Sequence, residues 1–135
     1  MGIKYKDTTT GSVVSYVDQE SIRVVVQNIL ENSIKYTDTG GEIVIDIEVK
    51  NDGTDMLVSI SDNGIGIPQD QHKNIFTKFF RAQNAIKKET DGSGLGLFIS
   101  KSMIKKNGGD LWFESSEGKG STFYIKIPLK KEEAK

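Results

Sequence analysis

Two neighbouring runs of alternating residues constrain this chain more than any other feature. From Glu42 to Lys50, Ile43, Ile45, Ile47 and Val49 fall on one face, and from Met56 to Asp62 so do Met56, Val58, Ile60 and Asp62. A period of two sends successive side chains to opposite faces of a strand, so each run buries one face and leaves the other to solvent. Asn51-Asp52-Gly53-Thr54 between them is a turn sequence, and the pair reads as a β-hairpin. A sheet with one apolar face needs a second layer to cover it.

Helical patterns flank the hairpin. Asp18 reads as an N-cap, with Ser21 as a second candidate, for a helix running to about Lys35. Its apolar stripe is Ile22, Val26, Ile29, Leu30 and Ser33, and Thr37-Asp38-Thr39-Gly40-Gly41 stops it. Pro68 to Phe80 reads as a further helix, Ala82 to Ser93 as a mobile loop, and Leu95 to Lys106 as a long helix ended by Asn107-Gly108-Gly109. Val13 to Val17 reads as a short strand, while Leu111–Ser115 and Ser121–Ile127 form a last hairpin around Glu117-Gly118-Lys119-Gly120. The expected fold is α+β: a two-layer α/β sandwich with a mixed, mainly antiparallel sheet and three helices on one face. One domain over 13–129 is expected, with 1–12 as an N-terminal extension that looks trimmed and 130–135 as a frayed tail.

Composition removes several function classes. The net charge of −1 gives no general attraction to nucleic acid or anionic lipid. With no cysteine, disulfides and thiolate metal sites are excluded. No apolar run approaches the length of a membrane span, and no secretory signal opens the sequence. Direct contact with nucleic acid or membrane is therefore not expected. Glycine is the outlier, with 14 residues in clusters.

Three segments could carry chemistry. Asn28, Asn32, Lys35 and Tyr36 form a polar stripe on the first helix, about 130° from the apolar one. Asparagine offers a neutral oxygen, and Mg²⁺ takes few protein oxygens because phosphates and water fill its remaining positions. A lysine nearby can meet phosphate as a point charge. The same stripe also fits a plain solvated face. Asp62-Asn63-Gly64-Ile65-Gly66-Ile67-Pro68 follows a strand directly. An inward carboxylate at Asp62 must find donors, either an amino group of a base or a backbone N–H of the turn itself. Gly64 and Gly66 let the backbone approach a flat ligand closely. Gly92-Ser93-Gly94-Leu95-Gly96-Leu97 opens a helix, where bare N–H groups and the helix dipole attract anions. Its spacing matches neither the Rossmann nor the P-loop fingerprint, and it also fits a flexible loop end.

Taken in order, these segments resemble the motif set of the histidine kinase ATPase domain, in the superfamily shared with type II topoisomerase, MutL and heat-shock chaperone ATPases. Asn28 to Tyr36 is similar to its N box and Asp62 to Pro68 to its first glycine box. Ile75-Phe76-Thr77-Lys78-Phe79-Phe80-Arg81 is similar to its F box, and Gly92 to Leu97 to its second glycine box. Gly108 to Trp112 and Gly118 to Phe123 resemble the closing hairpin. The match runs from about Asp18 to Pro128.

The resemblance implies a Bergerat-type fold and roles for particular residues. Asp62 would hold the adenine amino group, with Thr122 and water assisting, beside Gly64, Gly66 and Ile67. Asn32, assisted by Asn28, would bind Mg²⁺ bridging the phosphates of ATP. Lys35, Tyr36 and Arg81 would contact phosphate or ribose, with Asn32, Lys35 and Arg81 serving the transfer itself. Ser93, Gly94, Leu95, Gly96 and Leu97 would cradle phosphate. Residues 82–93 would be a lid over the nucleotide, anchored by Phe76, Phe79 and Phe80, although Phe76 also reads as core. The acceptor would be a histidine on a separate dimerisation and phosphoacceptor domain, with a response regulator served indirectly. The setting would be cytoplasmic, whether or not the parent kinase is anchored in the inner membrane.

Two departures from the wider superfamily qualify this. Related ATPases keep a glutamate base where this chain has Asn28, and an amide cannot accept water's proton, so weak hydrolysis is expected. The only histidine, His72, reads as a surface residue rather than an acceptor. Alternatives are a serine kinase of the same fold, disfavoured by Phe79-Phe80-Arg81, and a module that binds ATP without transferring it.

Overall fold

The computed structural model describes residues 2–7, 19–38, 40–50, 54–77 and 96–128. The elements in order are β1 (Gly2–Asp7), α1 (Gln19–Lys35), β2 (Glu42–Lys50), β3 (Asp55–Asp62), a 3₁₀ helix (Gln69–Asn74), α2 (Gly96–Lys106), β4 (Asp110–Ser116) and β5 (Gly120–Pro128). The strands form one five-stranded sheet in the order β1-β2-β3-β5-β4. Among the described strands only β1 and β2 pair in parallel, so the sheet is mixed and mainly antiparallel, as the sequence implies.

The register explains the layering. Ile45 lies opposite Ile60, Ile60 opposite Phe123, and Phe123 opposite Phe113, which puts one apolar row across four strands. A second row joins Ile47, Val58, Ile125 and Leu111. These rows pack with Val25 and Ile29 of α1 and Ile104 of α2 into a single core. Ile29, Ile43, Ile60, Ile104, Leu111 and Ile125 are fully buried. Each such side chain contributes about 1.5–3 kcal/mol through the area it removes from water. The opposite face of the sheet carries Asp55, Leu57, Ser59 and Ser61 of β3, with Trp112 stacked on Tyr124 at 5.4 Å.

Both described α-helices end on residues suited to ending them. Lys35 closes α1 and Lys105 and Lys106 close α2, each opposite the negative end of the helix dipole. After α2, Gly108 takes φ +81° and Gly109 donates its N–H to the Ile104 carbonyl at 2.9 Å, which terminates the helix in a left-handed cap. At the start of β4, the Asp110 carboxylate accepts from Lys101 and Lys105, each at 3.1 Å. Lys101 also donates to the Leu111 carbonyl and lies 5.0 Å from the centre of the Phe76 ring.

Three sequence expectations change. Residues 2–7, read as part of an extension, form β1 and pair with β2 from Gly2↔Glu42 to Asp7↔Ile47. Pro68 to Phe80 was expected as a helix, but the described part is a six-residue 3₁₀ helix with no buried residue, followed by the buried Ile75. Without an apolar stripe at 3.6-residue spacing, nothing holds a longer α-helix against the sheet there. His72 is half-buried rather than a surface residue. Its Nε2 lies 2.9 Å from the Ile67 carbonyl and its ring meets Phe113 edge-on at 4.9 Å. The expected strand at 13–17, the Asn51-Asp52-Gly53 part of the turn and the loop at 82–93 lie outside the described residues.

Candidate functional site

The core face of the sheet turns polar at one end. Past the apolar rows, the next row reads Ile43, Asp62, Ser121 and Ser115 across β2, β3, β5 and β4. Asp62 Oδ1 accepts the Gly64 N–H at 3.0 Å and the Ser121 N–H at 3.3 Å. Burial pushes the Asp62 carboxyl above its ordinary range, and the Gly64 N–H, the Ser33 hydroxyl and the Ser121 N–H oppose the rise. Ser33 is itself buried on α1, and its hydroxyl falls short of a full hydrogen bond. Among the described residues no cation pairs with Asp62.

The segment after Asp62 is threaded between two pieces of backbone. The Ile65 N–H donates to the Tyr36 carbonyl at the end of α1, at 3.0 Å, and the Gly118 N–H donates to the Ile65 carbonyl at 2.7 Å. A Cβ on Gly64 would sit 2.2 Å from the Tyr36 carbonyl oxygen, and one on Gly66, where φ is +68°, would sit 2.0 Å from that of Ser116. Asn63 fastens the other side, accepting the Glu42 N–H on its Oδ1 at 2.8 Å. Thus the end of the N-box helix, the first glycine segment and the closing hairpin meet at Asp62.

Asn28 and Asn32 lie one turn apart on α1, both half-buried. Asn28 donates its amide N–H to the fully buried Ser100 of α2 at 3.3 Å, which leaves its carbonyl oxygen for another partner. This bond ties α1 to the helix that Gly96 opens. Two neutral amide oxygens one turn apart on a helix fit a hard cation already carrying phosphate and water ligands. Lys35 is exposed on the last turn of α1, and Tyr36 is half-buried just after it. Leu97 and Phe76 pack against the core, Phe76 also meeting Phe113 edge-on at 5.7 Å. Phe80, Arg81, Ser93, Gly94 and Leu95 lie outside the described residues.

Thr122 is not brought to Asp62. Its hydroxyl lies 2.8 Å from that of Ser61 on the opposite face of the sheet, since Ser61 and not Asp62 is its register partner. Ser121 occupies the place expected for Thr122. Ser33, Ser100 and Ser115 were also missed by the sequence reading. For Ser115 and Ser121 a signal existed: Leu111 and Phe113, and Phe123, Ile125 and Ile127, fix the odd-numbered positions as inward.

The family of histidine kinase-, DNA gyrase B- and HSP90-like ATPases matches residues 17–131. The chain belongs to this family. Among its relatives, the sensor histidine kinase WalK of Bacillus subtilis is 38% identical over 117 residues, covering 87% of this chain and 19% of WalK. A structure of the mycobacterial sensor histidine kinase MprB superposes with a TM-score of 0.82 at 28% identity, covering 96% of this chain and 86% of that one. Full-length ShkA, solved in complex with AMPPNP, superposes with a TM-score of 0.75 at 25% identity, covering 98% of this chain and 26% of ShkA. The chain is a histidine kinase ATP-binding catalytic domain, and it spans less than a third of WalK and of full-length ShkA.

Proposed function

We propose that this domain binds Mg-ATP with its base at Asp62 and donates the γ-phosphoryl group to a histidine of a separate dimerisation and phosphoacceptor domain. The observation that carries this reading is Asp62 itself. It is a largely buried carboxylate, held by two backbone N–H groups and unpaired with any described cation, beside glycines that only a close backbone approach requires. An adenine amino group supplies the missing donor. Ser33, buried without a complete hydrogen bond, offers a second polar contact there, directly or through water. The complex of ShkA with AMPPNP, an ATP analogue, supports the same use of this fold.

Asn28 and Asn32 would hold the Mg²⁺, which neutralises charge on the phosphate oxygens. Lys35 and Arg81 would add positive charge around the γ-phosphate, Tyr36 and Phe80 would flank the nucleotide, and Ser93 to Leu97 would offer N–H groups to the phosphates. Residues 82–93 would serve as the lid that the resemblance implies. The domain's contribution is positioning and charge stabilisation, while the nucleophilic imidazole comes from the partner domain. The parent kinase serves a response regulator indirectly, and the domain works in the cytoplasm.

The test supplies γ-labelled ATP and a phosphoacceptor domain in trans. The partner should gain acid-labile phosphate, and the domain alone should show weak ATPase activity. Asn32→Ala should reduce transfer by at least ten-fold more than it reduces ATP affinity, because the metal matters most as charge develops. Equal losses in binding and transfer would remove Asn32 from the metal site. Label on the domain itself, abolished by His72→Ala, would make His72 the acceptor and overturn the proposal.

A further inference from the structure

Ser115 sits at the end of the polar row and uses its whole hydrogen-bonding capacity. Its Oγ accepts the Ile67 N–H at 2.8 Å and donates to the Gly120 carbonyl at 3.0 Å. It also lies 2.7 Å from the Ser121 Oγ. A serine hydroxyl has one proton and two lone pairs. With that proton spent on Gly120, whose carbonyl can only accept, the bond between the two serines must run from Ser121 to Ser115. The Ser121 proton is therefore turned away from Asp62, its other neighbour in the row, and Ser121 presents only lone pairs on that side.

We propose that Ser115 is a positioning residue for base selectivity, which makes the Asp62–Ser121 floor acceptor-only by holding the Ser121 proton towards itself and away from Asp62. This rests on the reading of Asp62 as the base site. An acceptor-only floor matches the amino group of a 6-aminopurine and repels the carbonyl of a 6-oxopurine. The selectivity thus depends on a residue that need not touch the base. Ser115 also fastens the Ile67 end of the glycine segment to β4, so the same side chain sets both the height and the polarity of the site.

The experiment compares ATP with ITP, which exchanges the amino group for a carbonyl, by displacement of a fluorescent nucleotide from the intact chain. Ser115→Ala frees the Ser121 hydroxyl to rotate and donate. It should lower the ATP-to-ITP affinity ratio by about three- to ten-fold. Ser121→Ala loses an acceptor but gains no donor, so it should lower the ratio less than Ser115→Ala does. The double variant should return towards the wild-type ratio, which simple loosening of the site by Ser115→Ala would not produce. Ser115→Cys, close in shape but a weak acceptor, should shift the ratio in the same direction and serves if the alanine variant does not fold. An unchanged ratio in a folded Ser115 variant, or a double variant as relaxed as the single, overturns the proposal. Failure of the wild type to bind ATP would instead sink the functional reading beneath it.

Discussion

Asp62 and Asp110 stand at opposite ends of the β3-β5-β4 sheet, and their surroundings push them in opposite directions. Burial raises the Asp62 carboxyl, and only N–H and hydroxyl dipoles resist. At Asp110 a smaller burial effect also acts to raise the carboxyl, but Lys101, Lys105 and the Leu111 N–H together overcome it and leave the group below its ordinary range. The Asp110 end is therefore satisfied by the fold, with its lysines also packing helix α2 and the Phe76 ring onto β4. The Asp62 end is left short of donors. A fold tolerates such an end where ligand binding supplies what is missing.

The strongest way to break the contrast is to push the hairpin off Asp62. Gly120 has φ +113°, and a Cβ there would lie 2.0 Å from the Asp62 carbonyl oxygen. Gly120→Ala combines a left-handed strain with a backbone collision and should cost about 3 kcal/mol of stability. Denaturant unfolding measures this, and nucleotide binding should fall with it. A change below about 0.5 kcal/mol, within the range of ordinary surface substitutions, would mean that the hairpin does not need its close approach to β3.

A gentler change separates stability from binding at the same place. In Asp62→Asn the carbonyl oxygen still accepts from Gly64 and Ser121, but the amide now presents donors to the base. Nucleotide affinity should fall by about 1–3 kcal/mol in calorimetry. Stability should move the other way. Because the folded state raises this carboxyl, it holds the proton more tightly than the unfolded chain does. Wild-type stability therefore declines as pH rises from 3.8 through the raised value. Above that window the asparagine variant should be as stable as the wild type or more so, and its advantage should vanish in acid. A variant that binds ATP normally, or that loses stability only at neutral pH, contradicts the assigned environment.

The two ends also differ in how far the sequence alone reveals them. The alternation of Glu42–Lys50 and Met56–Asp62 specifies β2 and β3 because a one-residue slip would expose every isoleucine. That same alternation makes Asp62 inward and so marks it as a residue in need of donors. β1 escaped because six residues pairing in parallel with a distant strand leave little local pattern, and Lys4 and Lys6 look like a solvated end although lysines are usual on edge strands. The resemblance names Thr122, whereas face is decided by parity, and parity favours Ser121. The half-burial of His72 had no local signal, since its ring partner Phe113 is on β4, far along the sequence. The Asp110 cluster was invisible for the same reason: Lys101 and Lys105 read as an ordinary helix surface until α2 is laid beside the start of β4.

The smallest expected effect is at that cluster, and it sharpens the comparison by its sign. Two lysines and a backbone N–H converge on Asp110 Oδ1. Their stabilisation is fully present above 3.8, the ordinary carboxylate value, and is lost as pH falls through the depressed value of the folded state. The side chains of Asp110 and Lys105 are substantially exposed, so solvent screens the pairs and the contribution is about 0.5 kcal/mol. Asp110→Asn should therefore lower the thermal midpoint by about 2 °C at neutral pH and low salt. The deficit should shrink in high salt and disappear in strong acid, where the wild-type carboxylate is protonated too. ATP affinity should stay unchanged, because Asp110 lies at the far end of β4 from Asp62. An Asp110 variant with an Asp62-like pH profile, gaining relative stability at neutral pH, would show that burial and not the lysines governs both carboxylates.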